Sequence, residues 1–180
     1  VFVYDIQDVG VRFYTYISTL SYIMEAAGEN DIPVVVLDRP NPNAHYVDGN
    51  ILDPEFSSFV GRHQVPIVYG MTVGEYARMM NGEGWLGGRV KCDLTVVPVG
   101  NYAHSMPYSL PIKPSPNMPD DKALNLYPST CFFEGTALNE VRGTDKPFKI
   151  FRSPLLPDTG FSYVPMPTHG ASEPRFKGQV

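Results

Sequence analysis

Two acids, an amide, an arginine and two tyrosines follow a short apolar run at the start of the chain, in Val1-Phe2-Val3-Tyr4-Asp5-Ile6-Gln7-Asp8-Val9-Gly10-Val11-Arg12-Phe13-Tyr14-Thr15-Tyr16. The apolar run reads as a buried strand. Asp5, Asp8, Arg12 and Tyr14 then fall where that strand leaves the core. In open α/β sheets, ligands bind outside the carboxyl ends of strands. Carboxylates, a guanidinium and aromatic rings gathered there suit a polar, ring-shaped ligand such as a sugar. A plainer reading has the carboxylates capping loop amides, with Asp8 paired to Arg12; position alone supports both equally. Asp38-Arg39 repeats the acid–arginine pattern after a second apolar run, Pro33 to Leu37. Two neighbouring strands that both end in acid and arginine point to a shared site, and the Asn41 that follows is a further candidate there.

The later candidates sit in stiffer surroundings. Pro114-Ser115-Pro116-Asn117-Met118-Pro119 is either a polyproline spacer or a rigid wall that presents Asn117. Glu134 follows the apolar triplet Cys131-Phe132-Phe133. A glutamate beside aromatic rings can be held protonated and serve as a general acid; the alternative is a surface residue before a turn. Arg142, in Val141-Arg142-Gly143-Thr144, suits a carboxylate or phosphate, although a lone arginine is more often a salt-bridge residue.

These side chains need elements to hold them. Val1 to Tyr4, Pro33 to Leu37 and Asp93 to Val99 read as strands, with a short strand possible at Ile67 to Tyr69. Ile17, Leu20, Met24 and Ala27 recur at helical spacing, which predicts a helix over residues 14–28 that Gly28 stops. Thr72 and Glu75 form a capping box that opens a second helix, with Asn81-Gly82 as its end. A short helix is expected around Asp120 to Leu126, and Val164 to Lys177 reads as loop or extended edge. Strand, helix, strand in this order is a βαβ unit with a right-handed crossover. A mostly parallel α/β sheet with helices on both faces follows, with proline-rich loops. The domain division is expected after residue 127, where a smaller proline- and glycine-rich region, 128–180, begins.

Composition narrows the function classes. The chain has 180 residues, 43% of them hydrophobic, and a formal net charge of -5. That balance, with no Lys/Arg cluster, argues against a nucleic-acid partner. No apolar run reaches the length of a membrane helix. Cys92 and Cys131 lack metal-ligand spacing and read as separate thiols, and the four histidines are scattered, so neither metal nor cofactor is expected. Gly82-Glu83-Gly84-Trp85-Leu86-Gly87 matches G-x-G-x-x-G, but it follows a helix and leads to a strand. A dinucleotide fingerprint needs the reverse order, so this is a turn. The chain starts within a strand and without methionine, and reads as an excerpt of a longer protein.

Five motifs in fixed order carry a resemblance: D-I-Q-D-V-G-x-R-x-Y-T-Y at 5–16, L-D-R-P-N-P at 37–42, Y-G-M-T-x-G-E at 69–75, P-S-P-N-M-P at 114–119 and F-E-G-T at 133–136. Together they resemble the bacterial exo-β-N-acetylmuramidase family over nearly the whole chain, with Val141 where the family pattern carries glycine. The resemblance implies a Rossmann-like domain followed by a smaller one. It also implies export and release of N-acetylmuramic acid from the non-reducing end of peptidoglycan fragments. On this reading Glu134 and Asp5 are the catalytic candidates, although the family carries a further candidate acid upstream of the first motif. Asp8, Arg12, Tyr14, Asp38, Arg39, Asn41, Asn117 and Arg142 bind the sugar. An arginine fork would take the lactyl carboxylate bidentately. The alternative is a carbohydrate-binding module without catalysis.

Overall fold

The computed structural model describes residues 1–157 and 160–178. The chain divides into two compact units, Val1–Tyr108 and Ser109–Val180. The short helix near residue 120, placed by composition at the end of the first domain, therefore belongs to the second unit.

The first unit is built on three parallel strands, β1 (Phe2–Tyr4), β2 (Val34–Leu37) and β3 (Leu94–Val97), in the order β1-β2-β3. Phe2 stands opposite Val34, and Val34 opposite Leu94. Unbroken β-branched sequence makes β2 the central strand. Helices α1 (Tyr16–Glu29) and α2 (Val73–Glu83) supply the crossovers. Ile17, Leu20, Met24 and Ala27 of α1 share one core with Val73, Tyr76, Ala77 and Met80 of α2, against Tyr4, Val34 and Val36.

Both helices therefore cover the same face of the sheet, which corrects the expectation of helices on both faces. The strand order supplies the reason. When successive right-handed crossovers step in one direction, 1 to 2 to 3, every helix lands on the same side. Val3 and Val97, on the opposite face, are 60% and 47% exposed. A helix on that side would need the strand order to reverse.

Glycine punctuation also differs from expectation. Gly28 lies inside α1 and does not end it. A Cβ there would fall 2.3 Å from Val90 Cγ1 and 2.9 Å from the Lys91 carbonyl, so the residue permits the chain entering β3 to pass close by. The α2 capping box forms as read, but the helix runs through Gly82 and ends at Gly84, which takes the left-handed conformation at φ 70°. Residues 67–69 form no strand. Val68 instead makes isolated bridges to Val11 and Asp48.

In the second unit, Asp120 caps α3 (Asp121–Thr130) by accepting from the Ala123 N–H at 3.0 Å. The helix outruns its expected end and passes through Pro128, which lacks a donor N–H. It then tightens into a 3₁₀ turn at Cys131–Gly135. Tyr127 packs edge-on against Phe148, ring centroids 4.9 Å apart. Residues 136–157 and 160–178 are irregular, with a bridge between Asn139 and Arg152 and a tight turn closed by Thr168 and Ala171. Cys92 and Cys131 are free and buried.

The N-terminus of α2 is packed hard against the end of β2. A Cβ on Gly74 would lie 2.6 Å from both Asp38 Cγ and Val96 Cγ1. Gly74→Ala is expected to cost about 1–3 kcal/mol through overpacking, seen as a lower urea midpoint at unchanged slope. An unchanged midpoint would show that this approach is slack.

Candidate functional site

The loops after β1 and β2 interlock, and the interlock decides which candidate side chains reach solvent. Gly10 has φ 76°, and a Cβ there would sit 2.2 Å from Asn41 Oδ1. Asn41 is buried. Its amide donates to the Met71 carbonyl (2.8 Å) and accepts from Asn43 N–H (2.8 Å). Asn43 donates back to the Val9 carbonyl at 2.9 Å, and Gln7 Nε2 donates to the Pro40 carbonyl at 2.8 Å. Two of these bonds run from one loop to the other and meet part of the hydrogen-bonding demand of buried loop backbone.

Several expected ligand-binding residues are structural parts of this knot. Asp8 is 3% exposed. Its Oδ2 accepts from Gly10 N–H at 2.7 Å and from the Tyr69 hydroxyl. Burial pushes its carboxyl up to about 6, against the lowering effect of those hydrogen bonds. Arg12 is buried and donates to the carbonyls of Asn50 (3.0 Å) and Val65. The Asp8–Arg12 pair of the plainer reading gives way to these partners. Tyr14 is buried edge-on to Tyr16. Asp38 caps α2 from outside the helix: its carboxylate accepts from Gly74 N–H (2.8 Å) and Thr72 Oγ1 (2.7 Å).

What remains open at the strand ends is Asp5 with Arg39. Arg39 Nε donates to Asp5 Oδ1 at 2.7 Å, and the side chains are 41% and 47% exposed. Among the described residues the terminal nitrogens of Arg39 have no protein partner. Sequence reasoning missed a second pair at this end. His104 Nε2 lies 2.8 Å from Glu75 Oε2, the same oxygen that accepts Thr72 N–H in the capping box. Tyr102 exchanges hydrogen bonds with the Asn41 backbone beside it. Glu75 was legible only as a cap, and nothing local marks His104 as its partner. His63, by contrast, is a core residue between Tyr76 OH (3.1 Å) and Ser21 Oγ (3.4 Å), stacked on Trp85. Burial lowers it to about 4.

In the second unit, Glu134 meets Arg142, and so does Glu140, which the sequence reading passed over. Arg142 Nη2 is 2.8 Å from Glu134 Oε1, and Nε is 3.0 Å from Glu140 Oε1. One guanidinium thus pairs with two glutamates. Burial raises the Glu134 carboxyl; Arg142 works against that and Glu140 with it. Glu140 and Arg142 line a cleft of about 380 Å³ with Ser172, Glu173 and Arg175. Asn117 lines another cleft and donates to the Gly170 carbonyl at 3.0 Å. Of the site candidates, Asp5, Arg12, Asp38 and Arg39 lie in the first unit and Asn117 and Glu134 in the second. Among the described residues no three His, Cys, Asp or Glu side chains gather as a metal site.

A parallel α/β unit with charged groups at its strand ends, joined in sequence to a smaller unit with paired glutamates, defines an α/β protein with polar sites of the kind carbohydrate enzymes use. The chain belongs to the exo-β-N-acetylmuramidase NamZ family: the N-terminal family profile matches residues 1–122 and the C-terminal profile residues 125–166. It is 46% identical over 164 residues to the peptidoglycan β-N-acetylmuramidase NamZ of Bacillus subtilis (strain 168), covering 88% of this chain and 39% of that protein. Two crystal structures of DUF1343 family proteins from Bacteroides fragilis NCTC 9343 are also similar. One is 48% identical with a TM-score of 0.93, over 98% of this chain and 50% of the other. The second is 36% identical with a TM-score of 0.78, over 86% and 41%. The chain thus spans half or less of the length of these relatives.

Two outcomes test the electrostatics. Asp8 titrates at about 6 when folded against its ordinary 3.8. The folded state therefore binds the proton more tightly, and stability falls as pH rises through that window, by roughly 2–3 kcal/mol between pH 4 and 7. Asp8→Asn keeps the acceptor for Tyr69 and Gly10 and should remove this part of the pH dependence in denaturation curves; an identical slope in both proteins would show that Asp8 is not its source. Glu134 should titrate above its ordinary 4.5 by carboxyl NMR. In Arg142→Gln it should move higher still, because the cation that opposes burial is gone. A value that stays put on losing Arg142 would mean the ion pair is electrostatically idle.

Proposed function

We propose that this sequence belongs to an exo-acting glycoside hydrolase that releases N-acetylmuramic acid from the non-reducing end of peptidoglycan fragments. Family membership supports the reaction class, and the peptidoglycan β-N-acetylmuramidase activity of the Bacillus relative supports the substrate. Peptidoglycan lies outside the cytoplasmic membrane, which favours an exported bacterial enzyme that takes part in cell-wall turnover.

The observation that carries the reading is how Arg39 is held. Asp5 binds its Nε edge, and the remaining fork is exposed. A planar fork fixed at one edge offers the other to a carboxylate, and muramic acid differs from glucosamine by a lactyl carboxylate. Asp5 orients that fork. Arg142 is less suited, since two glutamates already occupy it. Within the second unit, Glu134 is the carboxyl best suited to act as an acid. Leaving-group protonation needs a carboxyl that keeps its proton near neutrality, and burial moves Glu134 in that direction. Glu140 adds negative charge beside it, which helps hold the proton.

In a family-length enzyme carrying this sequence, hydrolysis of a chromogenic N-acetylmuramide is the direct test. Arg39→Ala should lower kcat/KM on muramic substrates by roughly ten- to a hundredfold, with partial recovery in Arg39→Lys. The glucosamine analogue should be a poor substrate from the start and should lose little further. Comparable rates on both sugars in the unmodified enzyme would show that no arginine here reads the lactyl group.

A further inference from the structure

Asp8 sits between the two rungs that tie the β1 loop to the β2 loop. On one side Gln7 Nε2 donates to the Pro40 carbonyl at 2.8 Å, and on the other the Val9 carbonyl accepts from Asn43 Nδ2 at 2.9 Å. The Asp8 carboxyl anchors the β1 loop, since its Oδ2 accepts from Gly10 N–H at 2.7 Å and from the Tyr69 hydroxyl. The other oxygen is different: among the described residues, Asp8 Oδ1 is buried and has no hydrogen-bond partner. A carboxylate with one dry oxygen gives up hydration that nothing replaces, whereas a neutral carboxyl gives up far less. Proton uptake and loop closure are therefore coupled by geometry, and burial moves the group in the direction this requires.

The surroundings leave Asp8 as the titrating group of the knot. Tyr4 on β1, Tyr69 before α2 and Tyr76 on α2 all interact electrostatically with it. Burial together with Asp8 pushes these three phenols upward, so they stay neutral. Arg12, on the same loop, keeps its charge and donates to the Asn50 and Val65 carbonyls. His63, beyond the Tyr76 hydroxyl, works with the opposite sign: burial lowers it to about 4, so the folded state favours its neutral form and gains stability as pH rises. At the start of the β2 loop, Asp38 is tied to Thr72 and Gly74 and not to the β1 loop. The joint between the fixed and the releasable parts of that loop thus falls at Arg39.

We infer that Asp8 is a proton-operated latch on the loop knot: its neutral carboxyl holds the two loops closed, and its ionisation lets the segment from Arg39 to Asn43 open locally while the sheet and helices stay folded. The latch acts whatever ligand Arg39 takes. Asp8 titrates at about 6 in the closed knot against its ordinary 3.8, so its contribution to closure is fully present below 3.8 and is lost as pH rises through about 6.

Amide hydrogen exchange on the 180-residue chain tests this between pH 4 and 7. After correction for base-catalysed chemical exchange, protection of the Gly10 and Asn43 amides should fall by roughly ten- to a hundredfold across that range. At pH 7 these amides should be at least roughly tenfold less protected than Leu20 and Met24 in α1, and low urea should barely accelerate them, because a local opening exposes little surface. Asp8→Asn keeps an acceptor for Tyr69 and Gly10 and cannot ionise, so its knot amides should lose the pH dependence; any His63 contribution is common to both proteins and cancels. Tyr69→Phe removes one bond to the carboxylate, and the fall should move to higher pH. The same fall in the Asp8→Asn protein overturns the inference. Equal protection and equal urea response in knot and α1 amides also overturn it, since they would show global unfolding in place of a latch. Should the asparagine variant fail to fold, an unmoved fall in Tyr69→Phe overturns the inference by itself.

Discussion

The first unit depends on one close contact, the Asn41 amide laid where a Gly10 side chain would be. Two parallel strands end side by side, and each must release a loop full of backbone donors and acceptors. Water cannot satisfy groups this deeply buried, so the loops bond to each other, Asn43 to Val9 and Gln7 to Pro40, while Asn41 bonds to Met71 within the second connection. Only glycine at position 10 lets the Asn41 side chain lie this close to the first loop's backbone, and the prolines at 40 and 42 limit the conformations that the second loop gives up on ordering. The motifs that mark this chain most clearly are thus, in large part, the parts of a loop knot.

That knot sorts charges into two environments. Asp8 and Arg12 are drawn inside, where their hydrogen bonds go to a tyrosine and the backbone. Asp5 and Arg39 stay outside, paired with each other and available to a ligand. The same residue types, with the two aspartates only three positions apart in sequence, thereby do different work. An exposed pair of this kind adds little to stability, which leaves orientation of the arginine as its more useful effect. Asp38 holds the first turn of α2, and through Thr72 it also fixes Glu75, the partner of His104.

The second unit gathers its charges differently. Glu134 and Glu140 are brought to one guanidinium by a 3₁₀ turn and an irregular loop, not by strand ends. Val141, at the position where glycine was expected, takes φ 69° between Glu140 and Arg142. A β-branched residue in that region is strained. The Asn139 side chain, which accepts from Val141 N–H, helps hold the loop in place. The charge cluster is therefore bound to a backbone conformation that a glycine would adopt more cheaply.

Much of this protein was legible in its sequence because the signals are local. Unbroken β-branched runs mark the strands, the Ile17–Leu20–Met24–Ala27 spacing marks α1, and Thr72 with Glu75 marks the start of α2. The ordered motifs point to the family for the same reason, since each is contiguous. Three other features rest on long-range packing, which no window of sequence contains. Both helices share a face because the strand order never reverses. Asp8 and Arg12 are withdrawn from solvent because Tyr69 and Val65, more than fifty residues away, come to meet them. His104 acquires a role only when chain closure brings Glu75 beside it. Residue type and spacing determined which elements form and which groups could do chemistry. Tertiary structure decided which of those groups face water, because burial depends on neighbours that the chain supplies from elsewhere.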